Sequence, residues 1–267
     1  MNLFSKLLGR AGILAVAATL SLSSQAAVTT QLGFLVDESG SIAASDFALM
    51  KSGYATALAA LPTDGSIEVT IYSFASTAVV IVAPTVVTAL SLPGIVSAMN
   101  ADTQSGGSTA TAAGITAIAT AMHSSARFDP ALRSIINIAT DGVPSVGAPN
   151  PQQAAINAAI NAHSNLGIDA LTAEVLGTQA NPGFMQDIVF SPLSGPCNNC
   201  GVVLPDGSTP TNPMTSLPWV LVVNDFHDFD RAINAKVQAI VHDTPEPGAL
   251  ALVALALAAL GVARRRT

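Results

Sequence analysis

Asp37, Ser39 and Ser41 stand at alternate positions directly after the apolar run 32–36. A carboxylate and two hydroxyls on a turn leaving a buried strand supply hard oxygen donors, which suit a small divalent cation. The same residues also suit a strand-to-helix turn in which Ser or Asp caps the next helix, so the spacing alone leaves both readings open. A second grouping is Cys197-Asn198-Asn199-Cys200, set between Pro196 and Gly201. It is half of a four-cysteine zinc site with no histidine nearby to complete it. In an oxidising compartment such a pair closes a local disulfide, and its Pro and Gly flanks are unlike the helix-opening position of a redox-active pair. His123, His163, His227 and His242 are scattered over predicted helices and read as surface residues. The chain has neither Gly-x-Ser-x-Gly nor His-Glu-x-x-His, which makes a hydrolase the lesser reading.

The elements that must position these residues follow from periodicity. Residues 31–36 are apolar on both faces, as a central parallel strand is. Phe47, Met50, Tyr54, Leu58 and Leu61 recur at helical steps, and Pro62 ends that helix. Strands are predicted at 67–74 and 78–82, close enough for a hairpin, with a short helix at 92–99. After the glycine-bearing run 102–108, a helix opens near Thr109 with Ile115, Ile118 and Met122 inward. Strand 134–139 ends in Thr140-Asp141-Gly142, and helix 151–165 and strand 168–175 continue the alternation of an α/β sheet. Residues 177–217, rich in Pro, Gly and Asn, predict a long surface loop with a short helix at 183–188. Strand 219–223 and a helix bearing Phe226, Phe229, Ile233, Val237 and Ile240 close the periodic part. The expected fold is one α/β domain over 30–243: a doubly wound, mostly parallel sheet of about six strands, helices on both faces, one antiparallel edge strand. In such sheets a ligand lies outside the carboxyl ends of central strands, where Asp37 and Asp141 both fall.

Composition narrows the partners. Half of the 267 residues are hydrophobic and mean hydropathy is +0.51, high for a soluble protein. The two ends account for the excess. Residues 1–26 carry Lys6 and Arg10, the apolar run 11–22, then Ser24-Gln25-Ala26, the pattern of a secretory signal peptide cut after Ala26. An uncleaved anchor is the alternative, although the run is shorter than the roughly 20 residues of a spanning helix. Residues 27–246 hold five basic and 17 acidic residues, a net charge of −12. Nucleic acid, which needs clustered Lys and Arg, is not an expected partner; cations are.

In order and spacing, Asp37-x-Ser39-x-Ser41 after a first strand, Thr109 behind a Gly-Gly loop and Asp141 in Thr-Asp-Gly resemble the metal-ion-dependent adhesion site of a von Willebrand factor type A domain. The resemblance covers about residues 30–243. It implies that Ser39 and Ser41 bind Mg²⁺ (or Mn²⁺ or Ca²⁺) through their hydroxyls, that Asp37 and Asp141 act largely through bound water, and that Thr109 binds directly or through water. Thr109 is preferred to Thr111 because the family's threonine stands five residues before a small residue and six before an aliphatic one, matching Gly114 and Ile115. Glu38 is expected to be a solvated turn residue without a role. A site with few direct carboxylates leaves the cation underneutralised, with a position open to a partner's acidic group.

The tail has its own resemblance. Pro245, Glu246 and Pro247, the apolar run 248–263 and Arg264-Arg265-Arg266 resemble the PEP-CTERM sorting signal, here 244–267, of Gram-negative bacteria that carry an exosortase. This implies export, transient anchoring in the inner membrane by a terminal apolar helix with the arginines inside, processing by exosortase, and delivery to the cell surface or the exopolysaccharide (biofilm) matrix. A retained anchor is the alternative. The expectation is a non-enzymatic, metal-dependent adhesion module whose partner, protein or polysaccharide, offers a carboxylate. A structural matrix protein whose metal only stabilises the fold is the competing reading.

Overall fold

In the computed structural model, which describes residues 26–178 and 181–242, β1 (Thr30–Asp37) is buried along its whole length. It is followed by α1 (Ala44–Ala59), β2 (Asp64–Phe74), β3 (Ala78–Thr88) and α2 (Leu92–Ala101). Next come α3 (Thr111–His123), β4 (Arg133–Thr140), α4 (Pro151–Ser164) and β5 (Ala170–Leu176). The remaining elements are the short α5 (Pro182–Met185), β6 (Val202–Leu204), β7 (Trp219–Val223), a 3₁₀ turn (Phe226–Asp228) and α6 (Phe229–His242). The strands form one seven-stranded sheet in the order β3-β2-β1-β4-β5-β7-β6. β3 alone pairs antiparallel, at one edge.

Alternation along the strands divides the core into two layers. Leu32, Phe34 and Val36 of β1 pack with Phe47, Met50, Tyr54, Ile95, Met99, Phe229 and Ile233 from α1, α2 and α6. Leu35 points the other way, toward Ile115, Ile118 and Met122 of α3 and the alanines of α4. Gly33 shares that second face, where a Cβ would lie 2.7 Å from Met122 Sδ and 3.0 Å from Ile118 Cδ1. The missing side chain is what lets α3 lie this close to the central strand.

Two differences from the sequence expectation have physical causes. β3 continues to Thr88, beyond the predicted 82, with Pro84 inside it; an edge strand has a neighbour on one side only, so a residue without an N–H is tolerated. Residues 177–217 are only partly a surface loop. Phe184, Met185, Ile188, Val189 and Phe190 are buried, and Phe190 exchanges backbone hydrogen bonds with Leu171. β6 then adds a parallel strand beside β7. Three residues are too few to display a period, so β6 is invisible to pattern reading. The structure pairs Cys197 with Cys200, Cα atoms 5.7 Å apart, and the adjoining Gly201 is held by Gln186, whose Nε2 donates to its carbonyl at 2.6 Å.

Candidate metal centre

β1 and β4 are parallel neighbours, Val36 opposite Ala139. Their chain continuations part company at the carboxyl ends, β1 leading to α1 on one face and β4 leading to α4 on the other. The strand order reverses at this point, since β2 lies beyond β1 and β5 beyond β4. Such a switch point leaves a crevice between the diverging loops, and it is lined by Asp37, the last residue of β1, and Asp141, the first after β4.

Hydrogen bonds run through the crevice without a break. Ser39 N donates to Asp37 Oδ1 at 2.7 Å, and the Thr140 hydroxyl donates to Asp37 Oδ2. The Ser39 and Ser41 hydroxyl oxygens are 3.1 Å apart, and Ser41 Oγ donates to Asp141 Oδ1 at 2.8 Å. Asp37 and Ser39 are wholly buried, whereas Ser41 is exposed and Asp141 half-buried. Burial pushes the Asp37 carboxyl up to about 6, against its bonds to Ser39 and Thr140, with the Asp141 charge adding to the rise. Burial also raises Asp141, opposed by the bond from Ser41. Two poorly solvated carboxylates therefore converge on two hydroxyls, and the side chains that hydrogen-bond them are neutral. A small dication fits this donor set: it would offset both burial penalties and accept lone pairs from hard oxygens.

Thr109 stands two residues before the first residue of α3, with Ala110 as the N-cap between them. Its N–H donates to Ser145 Oγ at 2.8 Å, and its carbonyl accepts from Ser145 N and Val146 N at 2.9 and 3.3 Å. It is thereby tied to the loop that follows Asp141. The loop before it is tied to the turn after β1: Gly40 N donates to Gly107 O at 2.9 Å and Gly106 N to Glu38 O at 3.0 Å. A Cβ on Gly40 would lie 3.3 Å from both Gly107 N and O, so glycine is what lets the two loops touch. Gln104 completes the tie, its Nε2 donating to the carbonyls of Ser39 and Ile42 at 3.1 and 2.8 Å.

The expectation for Glu38 is corrected. It is 3% exposed, and its Oε2 accepts from Ser105 N at 3.2 Å and Ser105 Oγ at 2.7 Å. Burial, and then the contact with Glu38, push the neighbouring Asp102 carboxyl up to about 7. The cause is the loop around Ser105, which folds over the turn. No local pattern at Glu38 announces a cover that arrives 67 residues later.

The histidines divide. The His123 ring packs on Phe128 and the His163 ring on Phe190, and each Nδ1 faces a backbone carbonyl. His227 is exposed on the 3₁₀ turn, its Nδ1 2.8 Å from Asp225 Oδ1, which raises the imidazole above its ordinary value. It shares a cleft with Ser41 and Asp141, a proximity that reading it as a scattered surface residue missed. The His242 side chain lies outside what is described. Among the described residues no cluster of three or more His, Cys, Asp or Glu is placed to hold a metal, so a cation site in this crevice draws on oxygen donors beyond its two carboxylates, the serine hydroxyls among them.

Against known families, a model described as von Willebrand factor type A domain matches residues 31–199. One described as PEP-CTERM protein-sorting motif matches residues 243–266. Pro245, Glu246 and Pro247, like the expected signal peptide up to Gln25, lie outside the described residues. Among the described residues no helix is long and apolar enough to cross a membrane, and the apolar run 248–263 is not among them. No curated protein matches the chain in sequence. Among solved structures, proximal thread matrix protein 1 from the mussel byssus is 18% identical with a TM-score of 0.59, over 79% of this chain and 48% of that one. Another structure of that protein has a zinc-occupied MIDAS motif. The pilus adhesin SpaC from Lactobacillus rhamnosus GG is 13% identical with a TM-score of 0.59, over 81% and 30%. A von Willebrand factor type A protein from Catenulispora acidiphila is 15% identical with a TM-score of 0.57, over 80% and 43%. This chain thus spans half or less of the length of those proteins, and at such identity the likeness is one of fold.

Proposed function

The chain belongs to the von Willebrand factor type A family, and from that premise we propose that it is an exported, non-enzymatic binding module that grips its partner through a divalent cation. Asp37, Ser39, Ser41, Thr109 and Asp141 would hold the ion. The observation that carries the reading is the hydrogen-bonded line from buried Asp37 through Ser39 and Ser41 to Asp141, which begins in the protein and ends at solvent. When bound, the cation supplies a positive centre that an acidic group of a partner can reach from the Ser41 side. The hard oxygen donors favour Mg²⁺ or Mn²⁺, with Ca²⁺ also accommodated; zinc, as in the mussel protein, joins the ions to be tested.

The chain's own residues do the positioning. Thr140 and the Ser39 amide fix both oxygens of Asp37, while Gln104 holds the Ser39 carbonyl. The Ser39 hydroxyl is engaged with that of Ser41, and Ser41 with Asp141, so neither serine is paired with a histidine base that would activate it as a nucleophile. The sorting motif supports export, processing by exosortase, transient anchoring through 248–263 and delivery to the surface or matrix of a Gram-negative cell.

Calorimetry with Mg²⁺, Mn²⁺ and Zn²⁺ tests the reading, beside a metal-dependent pull-down from the surface fraction of the producing cells. Asp37→Ala should abolish both signals. Metal binding that is unchanged in Asp37→Ala overturns the site. Metal-dependent melting with no metal-dependent partner would instead make the cation structural.

A further inference from the structure

The face of the candidate cation site that meets solvent is its Ser41 and Asp141 side, and beside it opens a cleft of about 380 Å³ whose wall includes Asp46, Asp225, Phe226 and His227. A group that reaches the cation from this side carries its neighbouring atoms across the cleft. The charge of the wall therefore selects among partners that share the same acidic group.

Asp37 and Asp141 would face the dication, whereas Asp46 and Asp225 stand on the wall of the cleft as further negative charge. Asp46 is close enough for its charge to act on both Asp141 and His227. Asp225 accepts from His227 N at 2.9 Å and faces Nδ1 of the same residue. With His227 protonated, two carboxylates still outnumber one imidazolium. The nearby Arg231 is engaged elsewhere, 3.4 Å from Asp206 and 3.5 Å from Asp228. A polyuronate, which carries one carboxylate on every sugar, brings its neighbouring carboxylates into the cleft and meets repulsion here. A chain with a basic side chain next to its acidic one meets attraction, and half-buried Phe226 offers a ring against which an Arg or Lys stem can lie.

We infer that the partner is a polypeptide segment in which Asp or Glu is followed within a few residues by Lys or Arg, the carboxylate directed at the cation and the basic side chain in the Asp46–Asp225 cleft. This rests on the cation-site reading above and adds to it the class of partner.

The test uses the mature protein in Mg²⁺ against surface-immobilised peptides carrying one Glu flanked by Lys, by Ser or by Glu, and against an oligogalacturonate. The Lys-flanked peptide should bind about fivefold or more tighter than the Ser-flanked one, and the Glu-flanked peptide and the oligouronate more weakly still. Asp46→Asn with Asp225→Asn, the asparagine keeping the capping oxygen, should erase the ranking while calorimetric metal binding persists. Equal or tighter binding of the oligouronate or the Glu-flanked peptide, a ranking that survives the double substitution, or no preference among peptides overturns the inference and leaves the cation site standing. Absence of calorimetric metal binding overturns both.

Discussion

Lys236 Nζ on α6 lies 3.8 Å from Glu174 Oε1 on β5, with side-chain exposures of 1% and 0%. Asn137 Nδ2 donates to the other Glu174 oxygen, and the ammonium sits 5.7 Å from the Trp219 ring centroid. Burial pulls Lys236 down to about 8 and pushes Glu174 up, each charge partly restoring the other. The pair fastens the closing helix to the sheet at one register. Lys236→Ala leaves Glu174 buried and unpaired and should cost about 3–5 kcal/mol. Glu174→Gln combined with Lys236→Met should be near neutral or stabilising. Urea unfolding of the three proteins checks both.

The same pair sets a pH dependence. Lys236 titrates near 8 folded and at 10.5 unfolded, so between those values the unfolded chain binds more protons and stability rises with pH. Glu174 acts in the opposite sense: its folded value lies above 4.5, and stability falls as pH rises from 4.5 through that raised value. Urea midpoints from pH 7.5 to 10.5 should climb in the wild type. The climb should flatten in the Gln/Met double variant.

Gln104 is expected to tune the metal without touching it. Its amide spans the carbonyls of Ser39 and Ile42, and removing it frees the turn that carries both serines. Gln104→Ala should weaken divalent-cation binding by about tenfold, as loss of a supporting contact does. The stability cost should be only about 1–2 kcal/mol. Calorimetry beside thermal melting separates the two effects; unchanged affinity would show that the turn holds its shape unaided.

Gly33 should tolerate no side chain. A Cβ there would press on Met122, Ile118 and Ile136 at 2.7–3.2 Å, so Gly33→Ala should destabilise by about 1–3 kcal/mol through overpacking. Met122→Ala in the same background removes the closest of these contacts and should recover part of the loss, a non-additivity that a double-mutant cycle reads directly.

The elements were legible because their signals are local. Burial on both faces reads directly off 31–36, and the helical spacing of Phe47 to Leu61 needs no partner to be recognised. Asp37 and Asp141 were placed at one edge of the sheet by parallel alternation alone. β6 was not, since three residues hold no period. The buried run 184–190 sat among Pro, Gly and Asn that signal turns whether or not a core lies beneath them.

The sequence by itself determined which donor types are present, which strand ends carry them, and that an acidic stretch precedes a terminal sorting motif, because composition, spacing and period are properties of neighbours along the chain. Tertiary structure alone decided that Glu38 is covered by Ser105, that Gln104 clasps the turn behind Ser39, that Lys236 meets Glu174, and that His227 and Asp225 stand beside Asp141. Each of these joins residues many positions apart. Such distances are set by sheet register and by which face a helix packs on, and no local pattern encodes either.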